Sequence, residues 1–282
     1  MKPSKVYLDT NAFRYFGMAF EKKILPIEIR DKILISPLSA YEVFAQLADH
    51  DQNEADLVLR QIHSLPNWTN PQHSGLLPWP DDALLAFLTQ TPVLDNDFAK
   101  RMQDSFNVIL WADSLDSLKE AAQKQKQAMD EFKERMAHDF KDMLDDFRAK
   151  QGKTGKKAKP VDITEFWFQG ILKRAKVPAS SKTMSEVQSL LSAYHEFEQS
   201  KLRTALLLPE YNPLSRKNQN DIIDAEQLIY LGDPSLCMLT ADKGFKSKVE
   251  KSSQAARVIV AAVDDLRDAK KAEAALRNAL GI

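Results

Sequence analysis

The 282-residue chain contains one cysteine, Cys237. That absence excludes an intramolecular disulfide and any cysteine-based metal cluster. Cys237 lies in the apolar run Leu236-Cys237-Met238-Leu239, which predicts a buried, inert thiol rather than a nucleophile. No apolar stretch approaches the ~20 residues a membrane span needs. Met1-Lys2-Pro3-Ser4-Lys5 leads directly into a strand-like segment without the apolar core of a secretory signal. The expectation is a cytoplasmic, soluble protein with no membrane partner. A strong charge of either sign is also lacking, because the net charge is -1. That average does not announce a nucleic-acid binder, yet averages hide patches. From Arg148 to Lys159 the chain is basic without one acidic residue. The glycines and lysines there read as a loop, either a solvated linker or a phosphate-contacting segment.

What is present falls into two styles. Lys5-Val6-Tyr7-Leu8 predicts a buried strand that stops at the polar turn Asp9-Thr10-Asn11, and a helix fits about Ala12 to Phe20. Lys32-Ile33-Leu34-Ile35 predicts a second strand, and Ser39 is the expected opening of the helix that follows. From about Asp51 to Glu210 the pattern turns helical. Its clearest stripe runs from Leu115 to Arg148, through Leu118, Ala122, Met129, Phe140 and Leu144. Asp162–Lys176 and Met184–Leu208 predict two further helices, and the proline-rich stretch Leu65–Pro80 an irregular connection. After residue 211 the first style returns. A helix is expected over Asp224–Leu231, a strand over Leu236–Leu239, another over Arg257–Ala261, and a closing helix over Lys270–Leu280. The expected organisation is an α/β core made of residues 1–50 and 211–282, interrupted by an all-helical insertion over 51–210.

Acidic residues recur where such a core would place a site. Asp9 follows the first strand and Asp242 follows a later one, and in open parallel sheets sites form beyond the carboxyl ends of strands. Glu42 lies in the helix after the second strand. Asp221 and Asp224, three apart, share one helix face. Each acid also has a purely structural reading. Ser39-Ala40-Tyr41-Glu42 has the form of a capping box. Asp221 and Asp224 suit a helix amino terminus. Asp242 suits a turn before Gly244. Together, however, clustered carboxylates repel by ~4 kcal/mol per pair ~4 Å apart at an effective dielectric of ~20. Such a group calls for a divalent cation or raised pKa values. Oxygen ligands without nearby histidine or cysteine point to Mg2+ or Mn2+.

Four segments carry a resemblance: Val6-Tyr7-Leu8-Asp9-Thr10-Asn11, Ser39-Ala40-Tyr41-Glu42, Asp224 to Leu231, and Leu239-Thr240-Ala241-Asp242-Lys243-Gly244-Phe245. In this order they resemble the signature segments of PIN domains, which include the VapC-type toxin ribonucleases. The resemblance covers roughly the first fifty and the last seventy residues. It implies a small twisted parallel sheet between helices and a metal-dependent endonuclease site. Asp9, Glu42, Asp224 and Asp242 would then be the metal-site acids, with Asp221 competing with Asp224 for the third place. Asn11 and Thr240 would orient water or the ligands. The departure is the helical insertion, which compact members of that family replace with a short segment.

These readings set a chemistry: hydrolysis of a phosphodiester, with RNA favoured over DNA through the resemblance alone. Arg14, Lys243, Lys246 and Lys248 are candidates for phosphate contacts, and an antitoxin-like protein is a candidate partner. Two rivals stand beside it. One is a catalytically inactive PIN-like binding or scaffold module whose insertion binds a partner protein. The other is a small-molecule phosphatase, although Asn11 stands where one common class carries the second acid of an Asp-x-Asp pair.

Overall fold

Short apolar runs bounded by polar residues pair into one sheet. In the computed structural model, which describes residues 2–48, 51–70, 75–91, 107, 112, 114–151 and 162–282, the strands are β1 (Lys5–Leu8), β2 (Ile33–Ile35), β3 (Leu236–Thr240) and β4 (Val258–Val260). All neighbours are parallel and the order is β2-β1-β3-β4. Val6 stands beside Ile33 on one side and Cys237 on the other. Both faces are covered, so these strands read as continuous apolar runs rather than alternating ones.

The two-residue period of a strand divides the core. Val6, Leu8, Ile33, Ile35, Cys237 and Leu239 belong to one buried cluster, whereas Tyr7, Leu34, Leu236, Met238 and Val258 belong to another. Cys237 is buried, and burial pushes its thiol up to about 11. This matches the expected inert thiol.

Helices supply both covering layers. α1 (Thr10–Ala19) follows β1, α2 (Ile27–Arg30) precedes β2, and α3 (Pro37–Ala45) follows it. Next come α4 (Gln52–His63), α5 (Leu65–Trp68), α6 (Pro80–Thr89) and the 37-residue α7 (Leu115–Gln151). The remaining helices before β3 are α8 (Thr164–Arg174), α9 (Met184–Leu190), α10 (Ser192–Leu207) and α11 (Arg216–Gln227). Beyond β3 lie α12 (Lys243–Lys248), α13 (Val263–Arg267) and α14 (Ala269–Leu280).

The first face packs α1 and α14 and also takes in residues from 52–68. Trp68 is fully buried with its ring edge-on to Phe13 at 5.3 Å. Gly17 allows the close approach of α4, since a Cβ there would stand 2.6 Å from that of Gln61. The second face packs Leu228 to Leu231 together with α8 and α10.

The apolar stripe of α7 forms as its periodicity predicts, with Leu118, Ala122, Met129, Phe140 and Leu144 buried. A helix of this length spans about 55 Å and reaches over the sheet's flanking helices. Met129 packs against Leu38 of α3 and Ile223 of α11.

Four local expectations are corrected. The helix after β2 begins at Pro37, with Ser36 at its cap position. Proline's fixed φ and missing N–H suit the first helical position, so Ser39 lies inside the helix and forms no capping box with Glu42. The helix expected from Asp224 begins at Arg216 and passes into a 3-10 turn at Leu228–Gly232. Asp221 and Asp224 are therefore interior residues, not caps. The segment expected as one helix over Met184–Leu208 breaks at Leu191 into α9 and α10. Within the proline-rich connection, Leu65–Trp68 is helical and Leu76 bridges to Ile35.

Candidate active site at the carboxyl edge of the sheet

Strand order locates the crevice. The chain crosses from β1 to β2 on one side and from β3 to β4 on the other. These crossovers diverge between β1 and β3, and ligands of open parallel sheets bind beyond the carboxyl ends at such a switch point. Asp9 is the residue after β1, and Asp242 lies two residues past the end of β3.

Asp9 is 4% exposed. It caps α1, with Oδ1 accepting from the Ala12 N–H at 2.7 Å. Its Oδ2 accepts from the Thr240 hydroxyl at 2.5 Å. Burial raises the Asp9 pKa from 3.8 to about 6. The Thr240 and Ala12 bonds oppose that rise, and the charges of Asp242 and Glu42 add to it. The Thr240 oxygen also accepts from the Asp242 N–H at 2.9 Å, so one hydroxyl ties the two strand ends together. Asp242 is exposed and caps α12, accepting from the Gly244 N–H at 2.7 Å.

Glu42 arrives on α3. Its Oε2 accepts from the Thr10 hydroxyl at 2.6 Å and its Oε1 from Lys133 Nζ at 2.7 Å. Lys133 belongs to α7 and also reaches Asn220 Oδ1 at 3.2 Å. Ser39, one turn before Glu42, sits with its hydroxyl 3.2 Å from Leu8 O and from Gln227 Oε1. That contact pins α3 to β1 and α11.

The structure separates Asp221 from Asp224. Asp224 is half-buried. Burial holds its carboxyl well above the ordinary range, the charges of Glu42, Asp221 and Asp9 push it higher, and Lys248 draws it back. Asp221 instead accepts from Lys248 Nζ at 2.7 Å. The same ammonium lies 4.6 Å above the Phe197 ring. Asp224 thus shares the field of Glu42 and Asp9, while Asp221 is held by its own cation.

Asp9 lies in the field of Asp242 and Glu42, and Asp224 lies in the field of Glu42, Asp221 and Asp9. Among the described residues, no group of three or more histidine, cysteine, aspartate or glutamate side chains has a metal-enclosing arrangement. The four candidate acids nevertheless offer only oxygen donors, and burial and like charge raise the carboxyl pKa of Asp9 and Asp224. Oxygen donors of this class are those that Mg2+ or Mn2+ would take.

The other sequence candidates are dispersed. Asn11 is exposed and Arg14 half-buried on α1, Lys243 is exposed beside Asp242, and Lys246 is half-buried on α12. Arg148 donates to the Ala205 carbonyl at 3.0 Å, which joins α7 to α10. Positions 152–159 of the basic stretch lie outside the described residues. Thr10, Lys133 and Asn220 were not among the sequence's site candidates, and Ser39 was marked only as a helix start. Thr10 sits inside the Asp9-Thr10-Asn11 turn and Ser39 inside the Glu42 segment, so both lay within view. Lys133 had no local signal at all.

Comparison of the chain with protein-family models, with curated proteins and with solved structures finds no match.

Proposed function

We propose that this protein is a metal-dependent endonuclease that hydrolyses phosphodiester bonds, with RNA favoured over DNA through the resemblance to PIN domains. The observation that carries the reading is Asp9. It is a buried carboxylate at the switch point of a parallel sheet, held between Thr240 and the start of α1, with its pKa raised by burial and by two further acids. Structural charges are seldom buried among like charges, and sites that hold cations or move protons often are.

Asp9, Asp242, Asp224 and Glu42 would hold the cation. When bound, Mg2+ or Mn2+ supplies a water of lowered pKa and offsets charge on the phosphate and leaving oxygens. A bound cation would favour the ionised form of Asp9. Thr240 holds one oxygen of the Asp9 carboxylate and the backbone N–H of Asp242. Thr10 holds one oxygen of Glu42, while the other must leave Lys133 to reach a cation. Lys243 and Lys246 stand on the helix capped by Asp242, where they can draw phosphates toward an otherwise repulsive acidic edge.

The Lys133–Glu42 ion pair is the observation that favours a second reading, a binding or scaffold module whose acids are neutralised from within. Cleavage separates the two. Single-stranded RNA and DNA are incubated with Mg2+ or Mn2+ and wild type, Asp9→Asn or Asp242→Asn. The expected result is metal-dependent cleavage that each substitution lowers by at least about a hundredfold. Equal cleavage by wild type and both variants overturns the roles of Asp9 and Asp242, and no cleavage by folded wild type with metal transfers the assignment to the binding module.

A further inference from the structure

Beside the acids lies a cavity of about 210 Å³ between α3, α7 and α11. Its lining includes Glu42, Lys126, Asp130, Lys133, Arg216 and Asn220. Cations outnumber acids three to two, and one of the two acids, Glu42, is already bonded to Lys133. Lys126 and Lys133 are seven apart on α7, two helical turns, and so share one face. Met129 between them is buried against Leu38 and Ile223, which fixes that face toward α3 and α11. Arg216 closes the cavity from the first residue of α11. The pocket is polar, small and on the same side of Glu42 as α7, the helix that the sequence inserts between the two halves of the core.

We infer that this cavity is a subsite for a phosphate of a single-stranded polynucleotide, contacted by Lys126, Lys133 and Arg216. The inference rests on the nuclease reading for the direction of the strand, which would run from the acidic crevice past Glu42 into the cavity. α7 thereby forms one wall of the substrate groove. Lys133 bonds Glu42 and Asn220 when no strand is present, and exchanges Glu42 for the phosphate when one is. Its transfer to the phosphate frees a Glu42 oxygen for the neighbouring crevice, so strand binding and completion of the acidic site are coupled. Positive side chains of this kind contact phosphate without reading base identity, so the subsite confers preference for a chain over a monomer and none for sequence.

The test is equilibrium binding of a fluorescent 12-nucleotide single strand to the full-length protein in chelator, across a salt series, alongside cleavage of the same strand with Mn2+. Lys126→Ala/Arg216→Ala should weaken binding at least tenfold. It should also flatten the slope of log Kd against log salt by up to about 0.7, the contribution of one neutralised phosphate on a single strand. Lys124→Ala/Lys141→Ala removes two cations from elsewhere on α7, where they pair with Glu120 and Asp145, and should leave both quantities unchanged. A mononucleotide should bind far more weakly than the strand.

Equal losses in the two double variants would reduce the effect to net charge and overturn the subsite. Unchanged binding in Lys126→Ala/Arg216→Ala, or no binding by wild type at low salt, overturns it too. If wild type cleaves while the cavity variant binds and cleaves normally, the subsite fails and the nuclease reading stands. If wild type never cleaves but the cavity variant alone loses strand binding, the nuclease reading fails and the phosphate site stands.

Discussion

Two carboxylates on α11, Asp224 and Glu226, stand two residues apart and in opposite company. Glu226 is 1% exposed. Arg174 of α8 meets it with two parallel bonds, Nη1 to Oε1 at 2.8 Å and Nη2 to Oε2 at 2.5 Å, and the Tyr194 hydroxyl donates to it at 3.2 Å. Arg174 also pairs with Asp81. Burial alone would lower the guanidinium pKa, but the Glu226 carboxylate overrides it and holds the group well above its ordinary value. Asp224 instead lies in the like-charged field of Glu42, Asp221 and Asp9, with Lys248 opposing them. Burying a charge is tolerable where the opposite charge is buried with it. The Glu226 side of the helix satisfies that rule and fastens α8 to α11. The Asp224 side breaks it, along with Asp9, and it does so at the strand ends where a ligand can supply the missing positive charge.

The largest effect should come from breaking the satisfied side. Arg174→Met strands Glu226 without its partner and should cost about 3–5 kcal/mol in chemical denaturation. Adding Glu226→Gln to it should recover part of that loss.

Asp9→Asn should act in the opposite direction. A carboxyl raised from 3.8 to about 6 binds more protons folded than unfolded. Its contribution to stability is complete below pH 3.8 and is lost as pH rises toward and through 6. In metal-free protein at pH 8 the asparagine variant should therefore be more stable, by up to about 3 kcal/mol. Its unfolding free energy should also vary less between pH 4 and 6. A marked fall in stability at pH 8 would show that the bonds to Thr240 and Ala12 outweigh the repulsion.

Lys133→Met should sharpen the contrast by removing the cation nearest Glu42. The pair is largely but not fully buried, with side chains 15% and 17% exposed. A metal-free loss of about 1–2 kcal/mol is expected, between surface and buried cases. Mn2+ should restore more stability to this variant than to wild type in thermal melts.

Lys248→Ala should have the smallest effect on stability, under about 1 kcal/mol, because its pair with Asp221 is partly solvated. Since Lys248 lowers the Asp224 pKa, its loss should move any metal-binding titration toward higher pH.

The strands were legible because a buried parallel sheet writes itself as short apolar runs. Val6 to Leu8 and Leu236 to Leu239 needed no context to be found, and Asp9 and Asp242 were marked as the polar residues that end them. The stripe of α7 was legible because a helical period repeated over 37 residues is hard to produce by chance. Helix starts were less so. Ser39 has the form of a cap, yet Pro37 claims the first turn, and Arg216 begins a helix whose amphipathic pattern is weak in its polar first half. Steric preference at one residue decided these boundaries, and periodicity is blind to it.

The sequence by itself determined the α/β alternation, the strand ends and the acids that follow them, because these depend on local polarity and on a period of two or 3.6 residues. Tertiary structure alone decided which acids share a field. It set Asp224 in the field of Glu42, Asp221 and Asp9, paired Asp221 with Lys248, and brought Lys133 across 91 positions to Glu42. Charge acts through distance in space, and the distance between residues on different elements is set by strand order and helix packing, which no local pattern records.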